Sequence, residues 1–178
     1  MVTRTREAER RRLSVGSHQR IVPPGEGTPQ AFMPGELFTW KATGSTSGDA
    51  IDFGELALEP EVRVPEHIHH AHDEAYYVLD GHYRFKVGDE IAEATAGTFV
   101  FIPRGTPHAW SNIGSGVGRV AVIFTPGGMA GYFRELEPLI QDLMVGVADM
   151  SKVDPAVLAQ AETIMQRYQY ELVGPPLT

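Results

Sequence analysis

The sequence predicts an all-β domain, a sandwich or barrel of short strands, completed by α-helices at its C-terminal end. Three observations predict it. Between Glu36 and Thr125, short alternating runs of apolar and polar residues are separated by Gly, Pro, Asp and Asn, as half-buried strands are separated by turns. The runs recur at close, regular spacing, which suits a sandwich or barrel. After Pro126-Gly127-Gly128 the period changes to that of a helix, with Tyr132, Phe133, Leu136, Leu139, Ile140 and Leu143 on one face.

Each element has its own justification. Residues 1–30 lack clean periodicity and hold Pro23, Pro24, Gly25, Gly27 and Pro29, so they read as a tail with one edge strand near Ile21 and Val22. Residues 37–40 (Leu-Phe-Thr-Trp) read as a strand, residues 43–48 as a Gly/Ser/Thr loop, and residues 51–58 as a second strand. Residues 75–79 form the next strand, and Asp80-Gly81 after them is a tight hairpin signal. Residues 82–87 alternate, and Gly88-Asp89 makes a turn. Residues 98–102 and 108–112 are two further short strands, and residues 118–125 form a strong last one, with Val120, Val122 and Phe124 on one side. Asp154 followed by Pro155 starts a helix, the acid as N-cap and the proline at the first helical position. That helix is expected to reach about Tyr170, with Val157, Leu158, Ala161, Ile164 and Met165 inward, and to stop before Gly174-Pro175-Pro176. The resulting organisation is a tail (1–30), a β unit (31–130) and C-terminal helices packing on it (131–178), with no second domain and no internal repeat.

Composition narrows the function classes. At 178 residues the chain can bury a real core. It has no apolar run long enough to cross a bilayer, and its basic N-terminus lacks the apolar stretch of a secretory signal, so no membrane partner is expected and a cytoplasmic location is. There are no cysteines, which excludes disulfides and thiolate metal sites. A net charge of −8 argues against nucleic acid as a partner. The basic patch of Arg4, Arg6, Arg10, Arg11, Arg12 and Arg20 precedes any patterned segment and reads as a solvated tail.

The chemistry lies in the histidines. Four of the seven fall between positions 67 and 72. Residues two apart on a strand face the same way, so His67 and His69 would point inward together. Glu74 opens the following strand, and His108 follows the rigid turn Pro103-Arg104-Gly105-Thr106-Pro107. Three imidazoles and a carboxylate suit one divalent transition metal ion (Fe, Ni, Mn, Co, Cu or Zn) and leave positions open for substrate. Buried without a partner, two neutral imidazoles would forfeit on the order of two hydrogen bonds. His70 should face away from His69, and His72 falls in a loop, so both read as solvated or supporting residues, and His18 and His82 as ordinary ones.

At these residues the chain resembles the cupin family. His67-Ile68-His69, Glu74 and Gly81 resemble its first motif, and Gly97, Pro103, Gly105, His108 and Asn112 its second. Glu61 stands where such sequences often carry glycine. The resemblance implies a jelly-roll cupin β-barrel with His67, His69, Glu74 and His108 as metal ligands, and Asn112 as a structural hydrogen-bonder. Phe53, Tyr76, Val78, Phe101, Trp110 and Phe124 are the expected pocket residues. The chain is further similar to single-domain proteins related to quercetin dioxygenases, through Glu74-Ala75-Tyr76-Tyr77-Val78-Leu79-Asp80-Gly81, the Thr125-Pro126-Gly127-Gly128 turn and the closing Val173-Gly174-Pro175-Pro176. That likeness implies a metal-dependent dioxygenase acting on a phenolic, flavonol-like or polyketide-like small molecule, with Glu74 as catalytic base and dioxygen as co-substrate. The alternatives are a redox-neutral isomerase, cyclase or decarboxylase, and a non-catalytic small-molecule-binding protein. A homodimer is expected because an open barrel leaves strand edges to cover, and the segment around Ile21 could supply the covering strand.

Overall fold

A computed structural model describes residues 21–143 and 152–177. Eleven strands build two antiparallel sheets: β1 (Thr28–Ala31), β2 (Glu36–Ala42), β3 (Asp52–Leu58), β4 (Arg63–His69), β5 (Asp73–Asp80), β6 (His82–Val87), β7 (Glu90–Thr95), β8 (Phe99–Ile102), β9 (His108–Asn112), β10 (Gly118–Thr125) and β11 (Tyr170–Pro176). The helices are the single turn α1 (Gly44–Ser47), then α2 (Met129–Leu136), continued by a 3₁₀ turn (Glu137–Leu139), and α3 (Pro155–Arg167). One sheet runs β1-β2-β3-β10-β5-β8 and the other β11-β4-β9-β6-β7. This is a jelly roll of two facing sheets rather than one closed sheet.

Period-two alternation decides which side chains form the core. On β10, Val120, Val122 and Phe124 are buried while Arg119 and Thr125 are exposed. On β2 the buried set is Glu36, Phe38 and Trp40. Phe38 stacks on Trp40 at 4.8 Å and meets Phe133 of α2 at 4.7 Å, so the first helix after the strands closes one end of the interior. The α2 face of Tyr132, Phe133 and Leu136 is buried, as the helical spacing predicts. On α3, Asp154 accepts the Ala156 N–H at 2.8 Å with Pro155 in the first turn, and Ala161 and Ile164 are its buried residues.

Several expectations are corrected. No strand forms at Ile21 and Val22, and Ile21 is 95% exposed; Pro23 and Pro24 follow at once, and the edge strand starts at Thr28. Residues 43–48 contain a helical turn capped by Thr43. Asp80-Gly81 is not a hairpin, because β5 and β6 lie in different sheets. It is a corner in which Gly81 takes φ +102, and a Cβ there would meet the Gly118 Cα at 2.8 Å. Gly88-Asp89 does join a hairpin, β6 to β7, whose second strand is mostly exposed and went unread. The last helix stops at Arg167, and Tyr170–Pro176 is a strand paired with β4, an unexpected addition to the C-terminal helices.

Two polar residues hold the frame. Asn112 Nδ2 donates to the carbonyls of Leu58, Glu59 and Gly116, at 3.1, 3.2 and 3.0 Å, and its Oδ1 accepts the Gly114 N–H at 3.0 Å. Asp52, fully buried, accepts the Gly44 N–H at 2.5 Å on Oδ1, and the Gly128 and Ala130 N–H groups at 2.7 and 3.0 Å on Oδ2. It thereby ties β3, α1 and the N-terminus of α2 together, where an anion also opposes the helix dipole. Glu61, at the position where a glycine was expected, has φ +66.

Candidate metal centre

The two sheets meet over a cluster of four buried side chains. On β4, Ile68 faces outward while His67 and His69 are buried at 4% and 3% exposure. Antiparallel pairing of β4 with β9 sets His67 directly opposite His108. Glu74 comes from β5 in the facing sheet and is 2% exposed. One donor atom from each of His67, His69, Glu74 and His108 can be chosen so that all four lie within 4.8 Å of one another.

The contacts aim these donors inward. His67 Nδ1 lies 2.8 Å from the Pro65 carbonyl, and His108 Nδ1 lies 2.9 Å from the Thr106 carbonyl. A carbonyl only accepts, so Nδ1 carries the proton in both rings and Nε2 is left for the cluster. Glu74 Oε2 lies 2.9 Å from His108 Nε2 and 3.3 Å from His69 Nε2, and Glu74 Oε1 accepts the Tyr76 hydroxyl. His69 Nδ1 is buried without a hydrogen-bond partner.

Burial, reinforced by His108 and His69 nearby, pushes the His67 imidazole well below its usual range. Burial also lowers His69, against the pull of Glu74. Burial works against the ionised form of Glu74, but hydrogen bonds from His108 and His69 outweigh it and hold the carboxyl well below its usual range. His108 is desolvated too, yet its bond to Glu74 raises it. The lowered His67, His69 and Glu74 match the ligating forms, neutral imidazole and ionised carboxylate, and a cation bound here would displace the proton that Glu74 favours on His108. The donor types, their convergence and the carbonyl-held Nδ1 atoms therefore fit a borderline divalent cation.

Aromatic rings enclose the cluster. Phe124 meets His69 edge-on at 5.6 Å. Tyr170 of β11 stacks on His67 at 5.0 Å and on Tyr132 of α2 at 4.7 Å. Sequence reasoning missed Tyr170 by running the helix through it, because its place beside His67 comes from the pairing of β11 with β4.

Of the expected pocket residues, Tyr76, Val78, Trp110 and Phe124 are buried in the interior. Phe53 and Phe101 are not pocket residues. Phe53 alternates with the inward Asp52 and Gly54 and faces outward, and Phe101 is 53% exposed on the edge strand β8. His72 is buried rather than solvated, with Nδ1 2.7 Å from the Pro126 carbonyl, so it buttresses the turn into α2. His70 and His82 are exposed and pair with Glu171 and Glu93 at 2.7 and 2.8 Å.

Comparison with known proteins agrees with this geometry. Residues 54–124 match the family model described as a cupin domain. An uncharacterized protein of Streptomyces coelicolor is 37% identical over 57 residues, a match covering 32% of this chain and 53% of that relative, so the chain spans about half the length of the curated relative it matches. Among solved structures, KdgF from Halomonas sp. superposes with a TM-score of 0.57 at 18% identity, covering 64% of this chain and 98% of the other. A protein described as a predicted oxalate decarboxylase from Thermotoga maritima gives 0.54 at 23% identity, with 60% and 99% covered. These likenesses show the fold. No helix among the described residues is long and apolar enough to cross a membrane.

Proposed function

Because this chain carries a cupin domain whose three histidines and one glutamate converge in a buried interior, we propose that it is a metal-dependent enzyme, a dioxygenase acting on a phenolic, flavonol-like or polyketide-like small molecule. His67, His69, Glu74 and His108 would hold one divalent transition metal ion, which when bound lowers the pKa of a substrate hydroxyl and orients it. The observation that carries the reading is Glu74. It is buried, shared between His69 and His108, and still accepts a hydrogen bond from Tyr76. A carboxylate so placed takes the proton of an incoming hydroxyl, and Tyr76 keeps Oε1 aimed as it does so. Phe124, which meets His69, would with the buried Trp110 and Val78 give a flat ring an apolar wall and keep water from the deprotonated substrate. The activated substrate then reacts with dioxygen.

The same proton abstraction would serve a redox-neutral isomerase, cyclase or decarboxylase, and the Glu74–Tyr76 hydrogen bond favours that second reading equally. Elemental analysis of protein purified without added metal or chelator is the first test. About one equivalent of a transition metal, lost in His69→Ala, is expected. Oxygen uptake with enolisable phenols then separates the two enzyme readings. No bound metal, and no uptake when ions are supplied, would overturn both. Wild-type turnover in Glu74→Gln would remove the base role.

A homodimer belongs to the same proposal. Support comes from β8, an edge strand of its sheet carrying Phe99 and Phe101 at 61% and 53% exposure. A monomer at micromolar concentration in sedimentation would refute it.

A further inference from the structure

A line of tyrosines runs from the metal cluster to the surface. Tyr170 lies on His67 at 5.0 Å, with the two rings 19° from parallel, and meets His69 edge-on at 5.3 Å. Tyr132 of α2 stacks on Tyr170 at 4.7 Å, and Tyr168 meets Tyr132 at 5.8 Å, edge to face. These are the separations of rings in contact. Tyr132 is buried and Tyr168 is half-buried, and the Tyr168 hydroxyl donates to the exposed carboxylate of Glu135 at 2.8 Å.

Two local departures from ordinary backbone build the line. Gln169, between two of the tyrosines, takes φ +53, a left-handed conformation that residues other than glycine rarely adopt. It turns the chain from the end of α3 into β11, and the rings on either side of it both rest on Tyr132. Gly131 stands inside α2, where glycine is a poor helix former. A Cβ there would lie 2.7 Å from the Tyr168 hydroxyl oxygen and 3.3 Å from its ring carbons, so the glycine makes the space that Tyr168 fills. A second set of oxidisable rings begins at the cluster but stays inside. Tyr76, bonded to Glu74, meets Trp110 at 5.5 Å, and Trp110 meets Tyr83 at 6.2 Å, all three buried.

Phenols and indoles give up an electron more readily than imidazole or phenyl rings. Electron exchange falls steeply with separation, so it is fast between rings in contact. We propose that Tyr170, Tyr132 and Tyr168 form an electron-transfer path that carries oxidising equivalents from the metal cluster to the protein surface, and so spares the ligand histidines when peroxide is activated there without substrate. The proposal rests on the reading of the cluster as a metal centre, and on no particular substrate. With iron(II) bound, hydrogen peroxide takes two electrons and two protons to become two waters. One electron comes from the iron(II) and the other from Tyr170. Tyr170 is refilled from Tyr132, and Tyr132 from Tyr168, so the deficit ends on Tyr168. The Tyr168 hydroxyl gives its proton to Glu135, which passes it to solvent, and solvent supplies the two protons that peroxide takes. The neutral tyrosyl radical left at Tyr168 regains one hydrogen atom from a soluble reductant such as ascorbate.

The test mixes the iron(II)-loaded full chain with hydrogen peroxide, freezes it, and reads the tyrosyl radical by electron paramagnetic resonance. Peptide mass spectrometry then maps the stable oxidation products. Wild type is expected to give a tyrosyl signal that ascorbate erases, with products at Tyr168 and intact ligand histidines. Tyr168→Phe and Tyr132→Phe keep the ring packing and lose the oxidisable hydroxyl. Both should lose most of the signal, while 2-oxo-histidine rises at His67 and His69. Tyr77→Phe, an exposed ring away from the line, should change neither reading. An undiminished signal in iron-loaded Tyr168→Phe and Tyr132→Phe overturns the path, as does iron-loaded wild type that gives no signal. If the variants fail to fold or to hold iron, the wild-type map decides. Products at Tyr168 support the path, and products at Tyr76, Trp110 or the ligand histidines instead overturn it. Wild type that binds no iron or other transition metal overturns the metal reading of the cluster, and this proposal with it.

Discussion

Replacing Asp52 by alanine should cost about 4 kcal/mol of stability, and by asparagine about 2. The carboxylate accepts three N–H groups, from Gly44, Gly128 and Ala130. Each charge-assisted bond contributes roughly 1.5–3 kcal/mol, and the three backbone donors left by alanine lie where water reaches poorly. Some relaxation offsets the loss, which brings the sum down to about 4 kcal/mol. Asparagine can keep its oxygen on Gly128 and Ala130 but must then turn its NH₂ toward the Gly44 N–H. Only that contact becomes repulsive, so about half the penalty remains. The assay is urea unfolding followed by tryptophan fluorescence, since Trp40 and Trp110 are both buried in the core. The reasoning is refuted if Asp52→Ala loses less than about 1 kcal/mol, or if asparagine proves the worse replacement.

Other perturbations follow from the same structure. Glu61→Gly should raise stability by about 0.5 kcal/mol, because relief of the left-handed backbone slightly exceeds the entropy glycine adds to the unfolded chain; a loss above about 1 kcal/mol in urea would contradict this. For Glu36 burial raises the folded pKa from its ordinary value of 4.5 to about 8, so the native state holds the proton longer and stability falls as pH rises from about 4.5 to 8. Tyr76 and Tyr170, the titratable groups facing it, are raised and stay neutral throughout that window. Melting temperatures of wild type and Glu36→Gln should lie closest at the acidic end of this range and separate toward pH 8 as wild type falls, and parallel curves would show the acid is not buried as described. Supplying a divalent transition metal ion should raise the melting temperature of wild type in a concentration-dependent way, by mass action on the native state, and leave His69→Ala nearly unmoved in differential scanning fluorimetry.

Much of the fold was legible because alternation is a strong signal wherever one sheet face is buried. β2, β3, β5, β6 and β10 announce themselves through inward residues, most of them apolar, at every second position, whereas β9 is buried throughout and was marked by the turn before it. β7 did not, since Glu90, Ile91, Ala92 and Glu93 are all exposed and no burial constrains them. β11 was hidden because its partner lies 101 positions away at the His70–Glu171 contact, and long-range pairing leaves no local mark. The candidate site shows the same division. The spacing that sets His67 and His69 on one face is local strand geometry, and His108 joins them through the pairing of β9 with β4. Asp52 and Tyr170 owe their roles to where the fold carries them, and a lone acid or tyrosine in sequence carries no sign of that. Phe53 and Phe101 mislead for the converse reason, as large aromatic residues that sit on the outer face.

The pairing of β11 with β4 has a temporal side. His67, His69, Glu74 and His108 are all translated before Tyr170, whose ring seals one flank of the cluster. On a growing chain the donors are therefore complete while that flank is still open, and an ion from the surrounding medium meets them without passing a wall. Once β11 docks, a stacked pair of tyrosines stands on that flank, and an ion held by the cluster would have that side closed. Order of synthesis thus separates loading from retention, and protein denatured and refolded with the ion withheld until after refolding should take it up more slowly than a nascent chain does.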